Sequence, residues 1–151
     1  ADLSGAGPPD DLAVSRVGSL LVERTAVTFS GDDTAKAPHN VVSLVISAAL
    51  DMGKPTTQGP HSREWARAFL RAAYLAAMDS AATLGSSALV LTALGAGAFR
   101  NSMDSVVDAI EWAAAHTDKR AVLPKVYLNL YRPAMSTPRI GGLCSVFGEG
   151  F

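Results

Sequence analysis

Gly95-Ala96-Gly97-Ala98-Phe99-Arg100-Asn101 follows an aliphatic run, Leu89 to Leu94, and leads straight into an amphipathic helical pattern. A strand ending in such small residues puts bare backbone at the carboxyl end of a parallel strand, where ligands of open α/β sheets bind. Without Cβ atoms the main chain can approach a ligand and offer its N–H groups, and the following helix N-terminus favours negative charge. A phosphate or diphosphate is the guest this chemistry suits. Phe99 would then be a flat apolar wall for a ribose or base, or a core residue, and Arg100 a phosphate contact or a plain surface charge. The spacing leaves a second reading open, in which the glycines only make a tight turn and let the helix pack on the sheet. Gly95-x-Gly97 lacks the third glycine of the dinucleotide fingerprint, since Arg100 stands there, and there is no Walker lysine-serine pair.

Other chemistries are poorly represented. His39, His61 and His116 have no ligand-like spacing, so neither a metal site nor a metal cofactor is expected. The single cysteine, Cys144, excludes an intrachain disulfide and has no basic or histidine neighbour to activate it. The 151 residues carry a net charge of −1 and no lysine-arginine stripe, so duplex nucleic acid is not an expected partner. No apolar run reaches the roughly 18 residues of a membrane span, and the opening ADLSGAGPPDD has neither part of a signal peptide. An intracellular, cytoplasmic setting is the expectation. Hydrophobic residues make up 48 %, which suits alanine-rich packed helices or a surface covered by a partner or by further chain.

The elements that must position the glycine loop can be read in order. Residues 1–9 are an irregular leader, and Asp10 to Leu21 is expected to be a helix with Leu12, Val17, Leu20 and Leu21 near one stripe. Val41 to Leu50 reads as a strand covered on both faces, Ser62 as the cap of a helix running to Thr83, and Gly85 as its stop. Trp65, Phe69, Ala72, Ala73 and Ala76 are its expected stripe. Ser87 to Leu94 is a second buried strand. Asn101 or Ser102 caps a helix whose face is Met103, Val106, Val107, Ile110 and Ala114, and Lys125 to Tyr131 is a third strand. Residues 134–151 form an irregular tail. Strands separated by long helical crossovers imply parallel pairing in one domain spanning residues 1–151.

SALVLTALGAGAFRNSMDSVVDAI, together with PHNVVSLVISAALDMGKP before it, resembles the microbial poly(ADP-ribose) glycohydrolase-like branch of the macrodomain superfamily. There a strand leads to a GCGAFRN-like loop and a helix, and an ITAAAPDL-like strand end is similar to Ile46 to Asp51. The resemblance covers roughly Asp10 to Pro133. It implies a three-layer α/β/α sandwich with a largely parallel central sheet, whose first strands would precede Ala1 or come from another subunit. It further implies ADP-ribose, free or attached to a protein, as ligand, with the diphosphate on Gly95, Ala96, Gly97 and Ala98, the distal ribose against Phe99, and Arg100 and Asn101 beside them.

The family's QEE triplet corresponds to Pro9-Asp10-Asp11, so the resemblance implies Asp10 and Asp11 as catalytic carboxylates. Such a group protonates the leaving oxygen and assists water as an oxocarbenium-like transition state forms, hydrolysing the ribose glycosidic bond of poly- or mono-ADP-ribose. Aspartate is one methylene shorter than the family's glutamate, and acids in a first helical turn also interact favourably with the helix dipole, a purely structural role. A non-catalytic binding module, or a structural subunit of a larger assembly, is the alternative function. No separate cofactor is implied.

Overall fold

The computed structural model describes Gly5, Gly7, Pro8, residues 20–27 and residues 40–130, with only the backbone at residues 20–27, 40 and 41. In chain order these are β1 (Leu20–Val27), β2 (Asn40–Ile46), α1 (Ser62–Thr83), β3 (Ala88–Thr92), α2 (Met103–His116) and β4 (Lys125–Asn129). Single 3-10 turns lie at Pro55–Thr57 and Arg120–Val122. The result is a mixed α/β structure with a small parallel sheet and two helices. β3 and β4 pair in parallel from Ala88 opposite Lys125 to Thr92 opposite Asn129, with α2 as the crossover that parallel pairing requires.

Two expectations need correction here. β2 does not join β3 and β4 in one ladder; it pairs antiparallel with β1, and the two pairs are separate sheets. Leu20 and Leu21, expected to end a helix starting at Asp10, open β1 opposite Ile46 and Val45. The strand was hidden because its register slips between Val22 and Thr25, an extra residue at Glu23-Arg24 that breaks the two-residue alternation. Residues 10–19 lie outside the described residues.

The core sits between the helices and one face of β3–β4. Leu70, Tyr74 and Met78, four apart on α1, meet Val106, Val107 and Ile110 of α2 and the inward residues Leu91 and Val126. The expected α2 face is the observed one. On α1 the expected stripe is displaced: Trp65 packs on Ala68 and Ala72 beside the Phe69 ring, 6.2 Å away, and its indole N–H donates to the Gly7 carbonyl at 2.8 Å. Gly85 stops α1 as expected. At φ +61 it lets its own N–H reach Ala82 O and that of Ser86 reach Ala81 O, which satisfies the last carbonyls. At the other end Ser62 is not a cap but a buried first-turn residue, preceded by His61, whose Nδ1 lies 2.5 Å from Glu64 Oε2. Ser102 caps α2, its Oγ accepting from the Ser105 N–H at 3.1 Å.

Both helices cover the same face of the parallel pair, because Leu91 and Val126 point inward while Val90 and Tyr127 alternate outward. Val90 is 62 % exposed and Ile46 of β2 is 53 % exposed, with Val42 and Leu44 also exposed on β2. The strands read as buried on both faces are therefore covered on one face at most among the described residues. Continuous apolar runs do not distinguish a strand between two layers from one whose outer face is bare.

Tyr74 links the core to the rim of the sheet. Its hydroxyl donates to Thr92 O at 2.8 Å and accepts the Leu94 N–H at 3.0 Å. Burial pushes the phenol up to about 12, with the Leu94 N–H pulling weakly the other way. The unfolded chain releases this proton near pH 10, so the native state holds it longer. Its contribution is complete below about pH 10 and is lost between about pH 10 and 12, on the order of 2–3 kcal/mol at the upper end. Urea unfolding at pH 9 and pH 11.5 is expected to show wild type losing more stability than Tyr74→Phe over that interval. In the same assay Ile110→Ala, at a fully buried position, is expected to cost about 2–5 kcal/mol. Val122→Ala, at an exposed one, should stay within about 0.5 kcal/mol of wild type.

Candidate functional site

Two loops meet at the carboxyl ends of β2 and β3. The first runs from Ser47 to Gln58 and is braced internally. Asp51 Oδ1 accepts the Gly53 N–H at 2.9 Å, and Thr57 Oγ1 donates to Asp51 O at 2.5 Å and Lys54 O at 2.8 Å. Gln58 Nε2 reaches Met52 O at 2.6 Å. The second is Ala93 to Ser102, and it is locked to the first. Asn101, buried, donates through Nδ2 to Leu50 O at 2.9 Å and to Gly95 O at 3.3 Å, while the Met52 N–H donates to Phe99 O at 2.9 Å.

Gly95 lies inside this junction. Its φ is +71°, and a Cβ there would stand 2.6 Å from Ala49 Cβ and 2.6 Å from Asn101 Nδ2. The fold itself therefore requires this glycine, on backbone and on steric grounds. Gly97 is different. Its φ is ordinary and, among the described residues, nothing lies within 4 Å of where a Cβ would be. The tight-turn reading thus accounts for Gly95 and leaves Gly97 without a packing explanation among the described residues.

The amides of the loop divide as well. Those of Leu94, Ala96, Arg100 and Asn101 donate internally, to Thr92, Ala93, Gly97 and Gly95 carbonyls. Those of Gly95, Gly97, Ala98 and Phe99 have no partner among the described residues. Gly97, Ala98, Phe99 and Arg100 are exposed. Phe99 is 39 % exposed, which removes it from the core. Arg100 holds φ +58°, uncommon for a side chain with Cβ and a sign of local strain. Its stem passes over Gly53, where a Cβ would come within 3.3 Å of Arg100 Cδ and Nε, and its guanidinium makes no ion pair or hydrogen bond among the described residues.

Gly97, Ala98, Phe99 and Arg100 are thus brought together on one exposed rim, while Gly95 and Ala96 lie against the junction and the core and the Asn101 side chain is turned inward as the brace. Asp10 and Asp11, with the triplet they belong to, lie outside the described residues. Sequence reading missed Tyr74, Gly53 and the inward role of Asn101; the Asp-Met-Gly-Lys-Pro turn signal marked Gly53, but nothing local marks which carbonyls a side chain will find. No group of three or more histidine, cysteine or acidic residues suited to a metal is present among the described residues. No described helix is long and apolar enough to cross a membrane. A cleft of about 830 Å³ lies between β2 and β3, reaching Thr92 and Leu94 but not the exposed glycine loop.

The two glycines should respond oppositely to the same methyl group. Gly95→Ala is expected to destabilise by more than about 1 kcal/mol, through both φ and the clash with Ala49 and Asn101. Gly97→Ala is expected to be more stable than wild type by about 0.4–1 kcal/mol. Denaturation midpoints of the two variants check this directly. No protein-family profile, curated protein or solved structure matches the chain.

Proposed function

We propose that the chain is a macrodomain-like ADP-ribose-binding protein, with the diphosphate held on the Gly97 to Phe99 amides and the distal ribose against Phe99. The observation that supports this most is the run of amides from Gly97 to Phe99 without a partner among the described residues, next to a glycine whose Cβ position is open among them. Bare backbone with unpartnered donors is an anion cradle in chemical terms, since N–H groups in succession form a positively polarised concavity. Arg100 stands beside it and makes no ion pair among the described residues, which suits a second contact to phosphate. The full sandwich of this reading has a second helical layer, and the bare outer face carrying Val90 and Tyr127 is where that layer would rest. ADP-ribosylated protein in an intracellular compartment is the partner the reading names.

Hydrolysis is part of the same proposal through Asp10 or Asp11 as general acid, assisting water at the anomeric carbon. Calorimetric titration of the full-length protein with ADP-ribose is expected to give saturable binding. Gly97→Val should weaken it at least tenfold without shifting the denaturation midpoint, because the branched side chain stands where the anion would lie. Arg100→Ala should weaken it about ten- to hundredfold, the range for a hydrogen bond to a charged group. Absence of binding heat in wild type removes the reading. ADP-ribose release from a modified protein should be lost in Asp10→Ala/Asp11→Ala; equal release by wild type and variant places the chemistry elsewhere.

A further inference from the structure

Asp51 is the single acidic residue in the two loops of the rim, 47–58 and 93–102, whose cations are Lys54 and Arg100. It is firmly placed. Its Oδ1 accepts the Gly53 N–H at 2.9 Å, and its carbonyl accepts from Thr57 Oγ1 at 2.5 Å and from the Lys54 N–H at 3.3 Å. Met52, the next residue, donates its N–H to Phe99 O, so the peptide after Asp51 is tied to the peptide before Arg100.

Gly53 shows how near the two charged groups come. The point that a Cβ would occupy there is 3.1 Å from Asp51 Oδ1 and 3.3 Å from both Cδ and Nε of Arg100. Carboxylate and guanidinium stem thus border one small space that a glycine keeps open, yet they form no ion pair with each other. Oδ1 is committed to the Gly53 N–H, and Oδ2 lies 3.8 Å from Lys54 Nζ. The Lys54 side chain is 68 % exposed and that of Asp51 only 22 %, so water weakens this pair and the carboxylate keeps most of its field.

We infer that Asp51 is a specificity-determining residue of the anion cradle, shifting its choice toward a diphosphate substituted at both ends and away from one with a free terminal phosphate, a role that rests on the ligand reading above. The difference between these ligands is charge. In a diphosphate esterified at both ends each phosphorus carries one negative charge, whereas a terminal phosphate carries about −1.5 to −2 at pH 7. The amides of Gly97 to Phe99 offer the same hydrogen bonds to both, and Arg100 alone would favour the more highly charged competitor. Asp51, beside the arginine stem, repels the additional charge and offsets that advantage. One further unit of charge at about 8 Å changes affinity by about two- to thirtyfold between the dielectric of water and that near a protein surface. An unfavourable charge set against the competitor is how a site separates ligands that share its favourable contacts. ADP shares the adenosine and the diphosphate of ADP-ribose, so bare amides would not tell them apart.

Calorimetric titration of the full-length protein with ADP-ribose and with ADP tests this through the ratio of the two affinities. Asp51→Asn keeps an acceptor for the Gly53 N–H and removes the charge. It is expected to tighten ADP more than ADP-ribose, lowering the preference for ADP-ribose at least threefold. Lys54→Ala is expected to move the ratio the other way, because it strips Asp51 of its opposite charge. Binding heat with a ratio unchanged or raised in Asp51→Asn overturns this role and leaves the ligand reading standing. If Asp51→Asn lowers the denaturation midpoint, Lys54→Ala decides, and a ratio that stays equal or falls in that variant overturns the role. Absence of heat with both ligands in wild type removes the ligand reading, and the role of Asp51 with it.

Discussion

The buried carboxamide of Asn101 is the constraint around which the rim is organised. Leu50 and Gly95 carbonyls, on different loops, converge on one Nδ2, and a buried carbonyl left without a donor costs about 1–3 kcal/mol. Satisfying both pulls the loop after β2 and the loop after β3 into contact, which leaves no room for a side chain at residue 95. The same inward turn fixes the residue before it. Arg100 is forced to φ +58°, so successive polar residues point in opposite senses, one into the junction and one across Gly53.

That local geometry is carried by a core built on one side only. Leu70, Tyr74, Met78, Val106, Val107 and Ile110 form a helix-to-sheet layer that is completely or nearly completely dry, and alanines at 73, 109, 113 and 114 fill positions where larger groups would hold the elements apart. Tyr74 converts this packing into position. Its hydroxyl bridges Thr92 O and the Leu94 N–H, so the last residues of β3 are pinned to α1 just before the chain enters the glycine loop. The outer face of the strands receives no such support among the described residues, and its apolar side chains are correspondingly exposed.

Some of this architecture was legible in the sequence, for identifiable reasons. α2 was readable throughout because its cap and its Met103 to Ala114 stripe are local signals, and α1 ended where Gly85 supplies a left-handed residue. Which face of α1 meets the sheet was not readable. In an alanine-rich helix both the Trp65–Phe69 side and the Leu70–Tyr74–Met78 side are apolar, so tertiary contacts choose between them. β1 was lost because a register slip and two charged residues interrupt its alternation, and without β1 the pairing of β2 was misassigned. The position of the glycine loop at a strand end was legible from composition. The split between Asn101 as brace and Arg100 as exposed charge was not, since it depends on a carbonyl fifty-one residues away in the chain.

The two glycines of the loop show why composition alone leaves function undecided. In the sequence Gly95 and Gly97 are equivalent members of one motif. In the fold Gly95 has a complete structural explanation, whereas at Gly97 the backbone is ordinary and the space beside it is empty among the described residues. A glycine in the second situation gives up unfolded-state restriction that alanine would provide, about 0.4–1 kcal/mol of stability, with no packing return. The adjacent amides of Ala98 and Phe99 have no partner among the described residues, and it is on them that the proposed function places an acceptor-rich anion.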